Sequence, residues 1–219
     1  KLKKTFYLLF ILLIALGNLN AQNVKITRND LSGLSLNVHT GNMEVSDIVT
    51  SEGTCARIHL NDFLSSNQVG APELPVMVKM IEIPLCEDIQ ITATARRVKT
   101  YSGNTLGIQH RLYPVQRSIS KSEEGPFPIQ INEATYQTND FYGLELASIE
   151  KTGIMRSYNL ATIYISPVKY NPVTNEFMVY DDINIEITYN NVDIPSTKEM
   201  KQIHTSCAFG KPAQVINQL

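Results

Sequence analysis

The 219-residue chain has no tryptophan, only three cysteines and four histidines, and charged residues make up just 18% of it. Each scarcity removes a class of protein. Cys55, Cys86 and Cys207 are widely spaced, odd in number and contain no CxxC, so they build no complete disulfide framework. One bridge is permitted in an exported protein, but small buried apolar side chains are the simpler account of all three. Lys and Arg number 19 against 21 Asp and Glu, with no long block of either sign. Phosphate backbones need a clustered basic excess, so a nucleic-acid partner is not expected. A hydrophobic content of 43% separates the chain from disordered sequences.

Catalytic signatures are missing too. There is no HExxH, no GxSxG, no phosphate-cradling glycine loop and no zinc-type Cys/His cluster. His204 lies close to Cys207, but a thiolate–imidazole pair needs geometry, and spacing in a polar tail supplies none. Asp181-Asp182 lacks the further oxygen ligands of a calcium loop and reads as a solvated strand edge. Glu123-Glu124 reads as a solvated loop face. No metal, no cofactor and no activity of the chain's own are therefore expected.

What is present begins with the first 21 residues. Lys1, Lys3 and Lys4 precede the apolar run Phe6–Leu16, and a polar, small-residue stretch ends at Ala21. This is the layout of a cleaved export signal, with the mature chain starting near Gln22. The apolar run falls short of the roughly 20 residues that span a bilayer, so no membrane span is expected after cleavage.

Beyond it, period-two alternation dominates. Leu34, Leu36 and Val38 alternate with polar residues, as do Ile89, Ile91, Ala93 and Ala95, and again Ile183, Ile185, Ile187 and Tyr189. Val76–Ile83 lies between Pro75 and Pro84, which cannot donate to a ladder and so punctuate the strand. The turn Tyr170–Asn175 predicts a hairpin joining the runs Thr162–Val168 and Phe177–Tyr180. No amphipathic helix of three turns is evident; Lys198–Ile203 reads as a short one. The expected fold is all-β, an antiparallel, jelly-roll-like β-sandwich with long loops over residues 22–195. Residues 196–219 read as a tail. Two stretches are irregular, 61–75 and 114–128, and the second is long enough to suggest a role.

Three motifs occur in order. They are Gly70-x-Pro72-x-Leu74-Pro75-Val76, then Tyr136 with Phe141-Tyr142-x-x-Glu145 leading to Arg156, then Pro167–Thr174 followed by a strand and Tyr180. This ordered set resembles the propeptides of the gingipain family of secreted cysteine proteases, over roughly residues 30–190. The resemblance implies a β-sandwich prodomain that helps its protease fold and blocks the active site. The partner would be the catalytic domain of its own cysteine protease, to which the tail leads. The setting would be the periplasm, the cell surface or the extracellular space of a Gram-negative bacterium.

Gingipain-like proteases cut after basic residues, so the resemblance also implies a basic pseudo-substrate. Lys121, between Ser120 and Ser122 in the 114–128 loop, is the first candidate, with its small neighbours letting an extended segment enter a cleft. Its distance from Tyr136 resembles the family's placement of such a residue. Arg117 is second and Lys151 third, the latter on a segment that reads as either strand or turn. The alternative from the residues alone is a stand-alone extracellular β-sandwich for adhesion or surface assembly.

Overall fold

The computed structural model describes residues 23–125, 127–203, 215–217 and 219. The stretch 1–21 expected to be an export signal, His204 and Cys207 lie outside them. In chain order the elements are β1 (Val24–Asp30), β2 (Gly33–Val38), β3 (Met43–Thr50), β4 (Gly53–Leu60), β5 (Leu64–Ser65), β6 (Pro75–Glu82) and β7 (Cys86–Ser102). There follow α1 (Glu133–Gln137), β8 (Ala147–Met155), β9 (Tyr158–Ile165), β10 (Val168–Asn171), β11 (Glu176–Val192) and α2 (Ile194–Ile203).

Two antiparallel sheets carry the fold. In the first, the 17-residue β11 pairs with β7 along nearly its whole length. Its other edge takes β10 at Glu176–Val179 and β2 at Ile183–Thr188, and β1 closes the sheet beyond β2. The second sheet runs β5-β6-β9-β8, and β3 and β4 form a separate hairpin. Alternation sends Leu34, Leu36, Val38, Ile183, Ile185 and Ile187 to one face of the first sheet, where all are buried. They share one core with Met77, Ile81, Ile163 and Ile165 of the second sheet. A β-sandwich of antiparallel sheets is what the sequence predicts.

The structure corrects details of that expectation. The run Thr162–Val168 is not one strand, because the chain crosses from the second sheet to the first at Ser166-Pro167. The runs Phe177–Tyr180 and Ile183–Tyr189 are one strand, continued through Asp182 at φ 53°. Aspartate tolerates this left-handed step better than most residues, and Asn37 Nδ2 donates to its Oδ1 at 2.8 Å. The stretch 61–75 contributes the short β5, and the alternation at Ile89–Ala95 is the middle of a much longer β7. Cys55 is buried and Cys86 half-buried, both as free thiols, and burial pushes the Cys86 thiol up.

The helix seen at Lys198–Ile203 starts four residues earlier, at Ile194. After it, Val215–Asn217 and Leu219 lie along the edge of β6. Ile216 donates its N–H to Met80 O at 3.0 Å, and the Asn217 amide pairs with both backbone groups of Glu82, at 2.7 and 2.9 Å. The Glu82 carboxylate is 1% exposed and meets Lys201 Nζ at 2.9 Å. Among the described residues no helix is long and apolar enough to cross a membrane.

Candidate functional site

The long loop leaves the sandwich at Val115 and returns at Asn132, and its two roots meet on Gly70. Gly70 donates its N–H to Val115 O at 2.8 Å, and its carbonyl accepts from Asn132 N at 2.9 Å. Its φ is +81°, and a Cβ there would stand 2.9 Å from Asn132 N, so only glycine fits. Beside it, Val115 N–H reaches Ala71 O and Glu73 N–H reaches Tyr113 O, each at 2.9 Å. Leu112 bridges β4 in parallel at Ala56. The outgoing leg thus runs as an irregular strand between β4 and residues 70–73.

Next to this root lies a groove of about 460 Å³ lined by Arg57, Ser65, Glu73, Tyr113, Gln116 and Arg117, among others. Its floor is fixed. Arg57 donates to the buried Glu73 carboxylate through Nε at 3.0 Å and lies 5.0 Å from the Tyr113 ring centre. Ser65 Oγ donates to the other carboxylate oxygen.

Of the motifs that carry the family resemblance, Gly70, Tyr136, Tyr142 and Tyr170 are tied to this region or to one another by hydrogen bonds. Tyr136, on α1 just after the loop, donates its hydroxyl to Leu112 O at 2.7 Å, and burial raises its phenol pKa. Tyr142 exchanges two backbone hydrogen bonds with Tyr170, both at 2.9 Å, and its hydroxyl reaches Gln68 Oε1 at 2.9 Å. The hairpin between β10 and β11 is closed by Asn171, whose Oδ1 accepts from Val173 N and Thr174 N at 3.1 and 3.2 Å. Tyr170 stacks on its cross-strand partner Phe177 with ring centres 4.6 Å apart. Arg156 sits in the turn between β8 and β9 at φ 58°.

Within the loop the three basic candidates separate. The Arg117 guanidinium forks onto the Glu123 carboxylate at 3.2 and 2.6 Å and lies 5.6 Å from the Phe127 ring centre. That hydrogen bond, before a bond from Ser120 N–H, holds the Glu123 carboxyl below its ordinary range. Lys151 lies in β8, beside a bulge, and its ammonium donates to Cys86 O at 3.0 Å and Glu87 O at 2.8 Å. The turn alternative for Lys151 is therefore wrong, and its charge is committed to capping the start of β7. Lys121 is exposed, and no side chain or backbone group among the described residues holds its ammonium.

Its backbone differs from the extended form the sequence suggests. Glu123 N–H donates to Ser120 O at 3.0 Å, which makes Ser120–Glu123 a tight turn with Lys121 at its second position. Serines favour such turns because their hydroxyls bond locally, here with Ser120 Oγ and Ser122 Oγ 2.9 Å apart. Among the described residues no group of three or more His, Cys, Asp and Glu side chains could hold a metal ion.

Fold and site together make a β-sandwich that projects a clamped, lysine-tipped loop. The family model Propeptide_C25 matches residues 19–209, and the chain belongs to that family of propeptides. It is 29% identical over 211 residues to Lys-gingipain HG66 of Porphyromonas gingivalis, which covers 91% of this chain and 12% of that protein. It is 20% identical over 148 residues to Gingipain R2 of the same species, covering 67% of this chain and 19% of that one. The chain thus spans about an eighth of the length of the Lys-gingipains it matches. Among solved structures it is similar to one concerning the zymogenic latency of gingipain K from P. gingivalis, with 29% identity and a TM-score of 0.72. That match covers 80% of this chain and 97% of the other. A complex of P. gingivalis RgpB pro- and mature domains shares the fold, with 16% identity, a TM-score of 0.66 and 83% of this chain covered.

Proposed function

We propose that this chain is the exported N-terminal propeptide of a gingipain-like cysteine endopeptidase, serving as folding partner and active-site inhibitor that keeps the zymogen latent. It performs no catalysis itself. Its partner is the catalytic domain of its own protease, residues 1–21 direct export, and residues 196–219 lead toward that domain. The observation that carries the mechanism is the contrast among three cations. Arg117 and Lys151 are each held by the propeptide's own oxygens, whereas Lys121, at the tip of a built loop, has no partner among the described residues.

A protease that cuts after basic residues offers a carboxylate in its specificity pocket, and the Lys121 ammonium supplies the matching charge-assisted hydrogen bond. Removing one partner of such a desolvated pair costs about 2–5 kcal/mol. Greater likeness to Lys-gingipain than to the R-type relatives agrees with lysine at this position, since the two cations are not interchangeable in a shaped pocket. The test is titration of the mature protease with wild type, Lys121→Ala and Arg117→Ala. Lys121→Ala should inhibit about 30-fold less well or worse. Equal inhibition by Lys121→Ala refutes the assignment, and a large loss in Arg117→Ala alone transfers it to Arg117.

A further inference from the structure

A lysine offered to a lysine-cutting protease is an invitation to be cut, and the loop carries a device against that. Gln116 joins its two legs. Its Nε2 donates to Pro114 O at 2.9 Å and Gln130 O at 3.1 Å, and its Oε1 accepts from Gln130 N at 2.9 Å. The side-chain amide thus pairs with both backbone groups of Gln130, as a strand neighbour would. Inside this ring the Arg117–Glu123 fork closes a smaller one, and Glu123 Oε1 also accepts from Ser120 N at 3.1 Å. Both closures flank the turn that presents Lys121.

We infer that Gln116, with the Arg117–Glu123 pair inside it, holds the loop as an inhibitor and not a substrate by keeping the two sides of the Lys121–Ser122 bond together. This rests on the reading of Lys121 as the residue that fills the partner's pocket. Cutting there requires the protease thiolate to add to the Lys121 carbonyl carbon. The C–N bond to Ser122 then breaks as its nitrogen takes a proton, and water hydrolyses the resulting thioester to a carboxylate, freeing the thiol. Two features oppose this. The turn keeps the flanking peptide units out of the extended form, away from an aligned attack geometry. If the bond breaks, the new Ser122 amine stays beside the thioester, since Ser120 and Glu123 remain bonded across the break. A tethered amine acts at high effective concentration and re-forms the peptide before water intervenes. Gln116 is a positioning residue here, acting only through where it keeps Lys121 and Ser122.

The experiment incubates the mature protease with the purified chain as wild type, Gln116→Ala, Glu123→Gln, Lys121→Ala and Gln116→Ala/Lys121→Ala. It reads the inhibition constant and, by mass spectrometry, the fraction cut after Lys121. Gln116→Ala should inhibit about tenfold less well, the worth of the hydrogen bonds lost, and should accumulate product cut after Lys121. Cutting after Lys79, within β6, should stay at the wild-type rate. Glu123→Gln should be cut at the same bond, and Gln116→Ala should add no further loss to Lys121→Ala. If Lys121→Ala weakens inhibition while Gln116→Ala and Glu123→Gln inhibit normally and stay intact, this inference falls and the pseudo-substrate reading stands. An equal loss from Gln116→Ala in the wild-type and Lys121→Ala backgrounds also overturns it, by making Gln116 merely structural. If Lys121→Ala inhibits like wild type, the underlying reading fails first and takes this one with it.

Discussion

The core around Tyr170 and the loop around Lys121 are both well connected, but by opposite means. Tyr170 and Phe177 are buried to 1% and 0% exposure and stack across neighbouring strands. Their cohesion comes from apolar area removed from water and from close packing. Arg117 and Glu123 keep 44% and 37% of their side-chain surface exposed, and their order comes from a forked ion pair and short-range turn bonds. Exposed pairs add little to global stability, so the loop is shaped without being a source of fold stability. A domain arranged this way can vary the loop without unfolding. The joint between the two regions, at Gly70, is where they become coupled.

The largest test of this contrast is Phe177→Ala. Removing a fully buried aromatic ring leaves a cavity and should cost about 3–5 kcal/mol, measured by denaturant unfolding, while the fraction that remains folded inhibits normally. A loss of inhibition beyond the loss of folded protein would show that core and loop are not separable. Next is Gly70→Ala, which forces a side chain into positive φ and against the Asn132 backbone. It should cost about 2–3 kcal/mol and also loosen both loop roots. Its inhibition should therefore fall even at temperatures where the sandwich is fully folded. A variant that unfolds earlier but inhibits normally would place the loop's order in its own internal bonds alone.

The same division governs what could be read from the sequence. β2 and the second half of β11 are legible because one face is buried and the other wet, so Leu34, Leu36, Ile183 and Ile185 alternate with polar residues. β1 beyond Val24 and the second half of β8 are exposed on both faces, so no period-two signal selects their residues. That is why β8 was ambiguous at Lys151. The break at Ser166-Pro167 hides for the opposite reason, since both sheets bury their residues there and hydrophobicity runs straight through. In the loop, composition and length mark an irregular segment, and the serines around Lys121 suit the turn found there. The neck was invisible, because Gln116 mimics a backbone amide 14 residues from its partner and such pairing leaves no pattern of residue types. The turn at Ser120–Glu123 was missed because serine and glutamate suit an extended loop equally well until Arg117 fixes the carboxylate.

The smallest effect, and the one that isolates the loop most cleanly, is its response to acid. Glu123 is held below its ordinary range, first by the Arg117 hydrogen bond and next by Ser120 N–H. Because its folded pKa lies below its unfolded one, the order it supplies is complete above the ordinary glutamate range. That order disappears as pH falls through the lowered folded value. Protonation removes the charge that attracts the guanidinium, so the inner ring opens while Tyr170 and Phe177, with no carboxylate between them, stay stacked. In an NMR titration the Ser120 amide proton should move in step with the Glu123 carboxyl, at a midpoint below that of an unpaired glutamate. The Tyr170 and Phe177 ring signals should not shift with it, and Glu123→Gln should flatten the Ser120 response. A Ser120 midpoint at the ordinary glutamate position would mean that the fork does not persist in solution. Core signals moving with the same midpoint would mean that the loop and the sandwich order together, and the comparison would have to be given up.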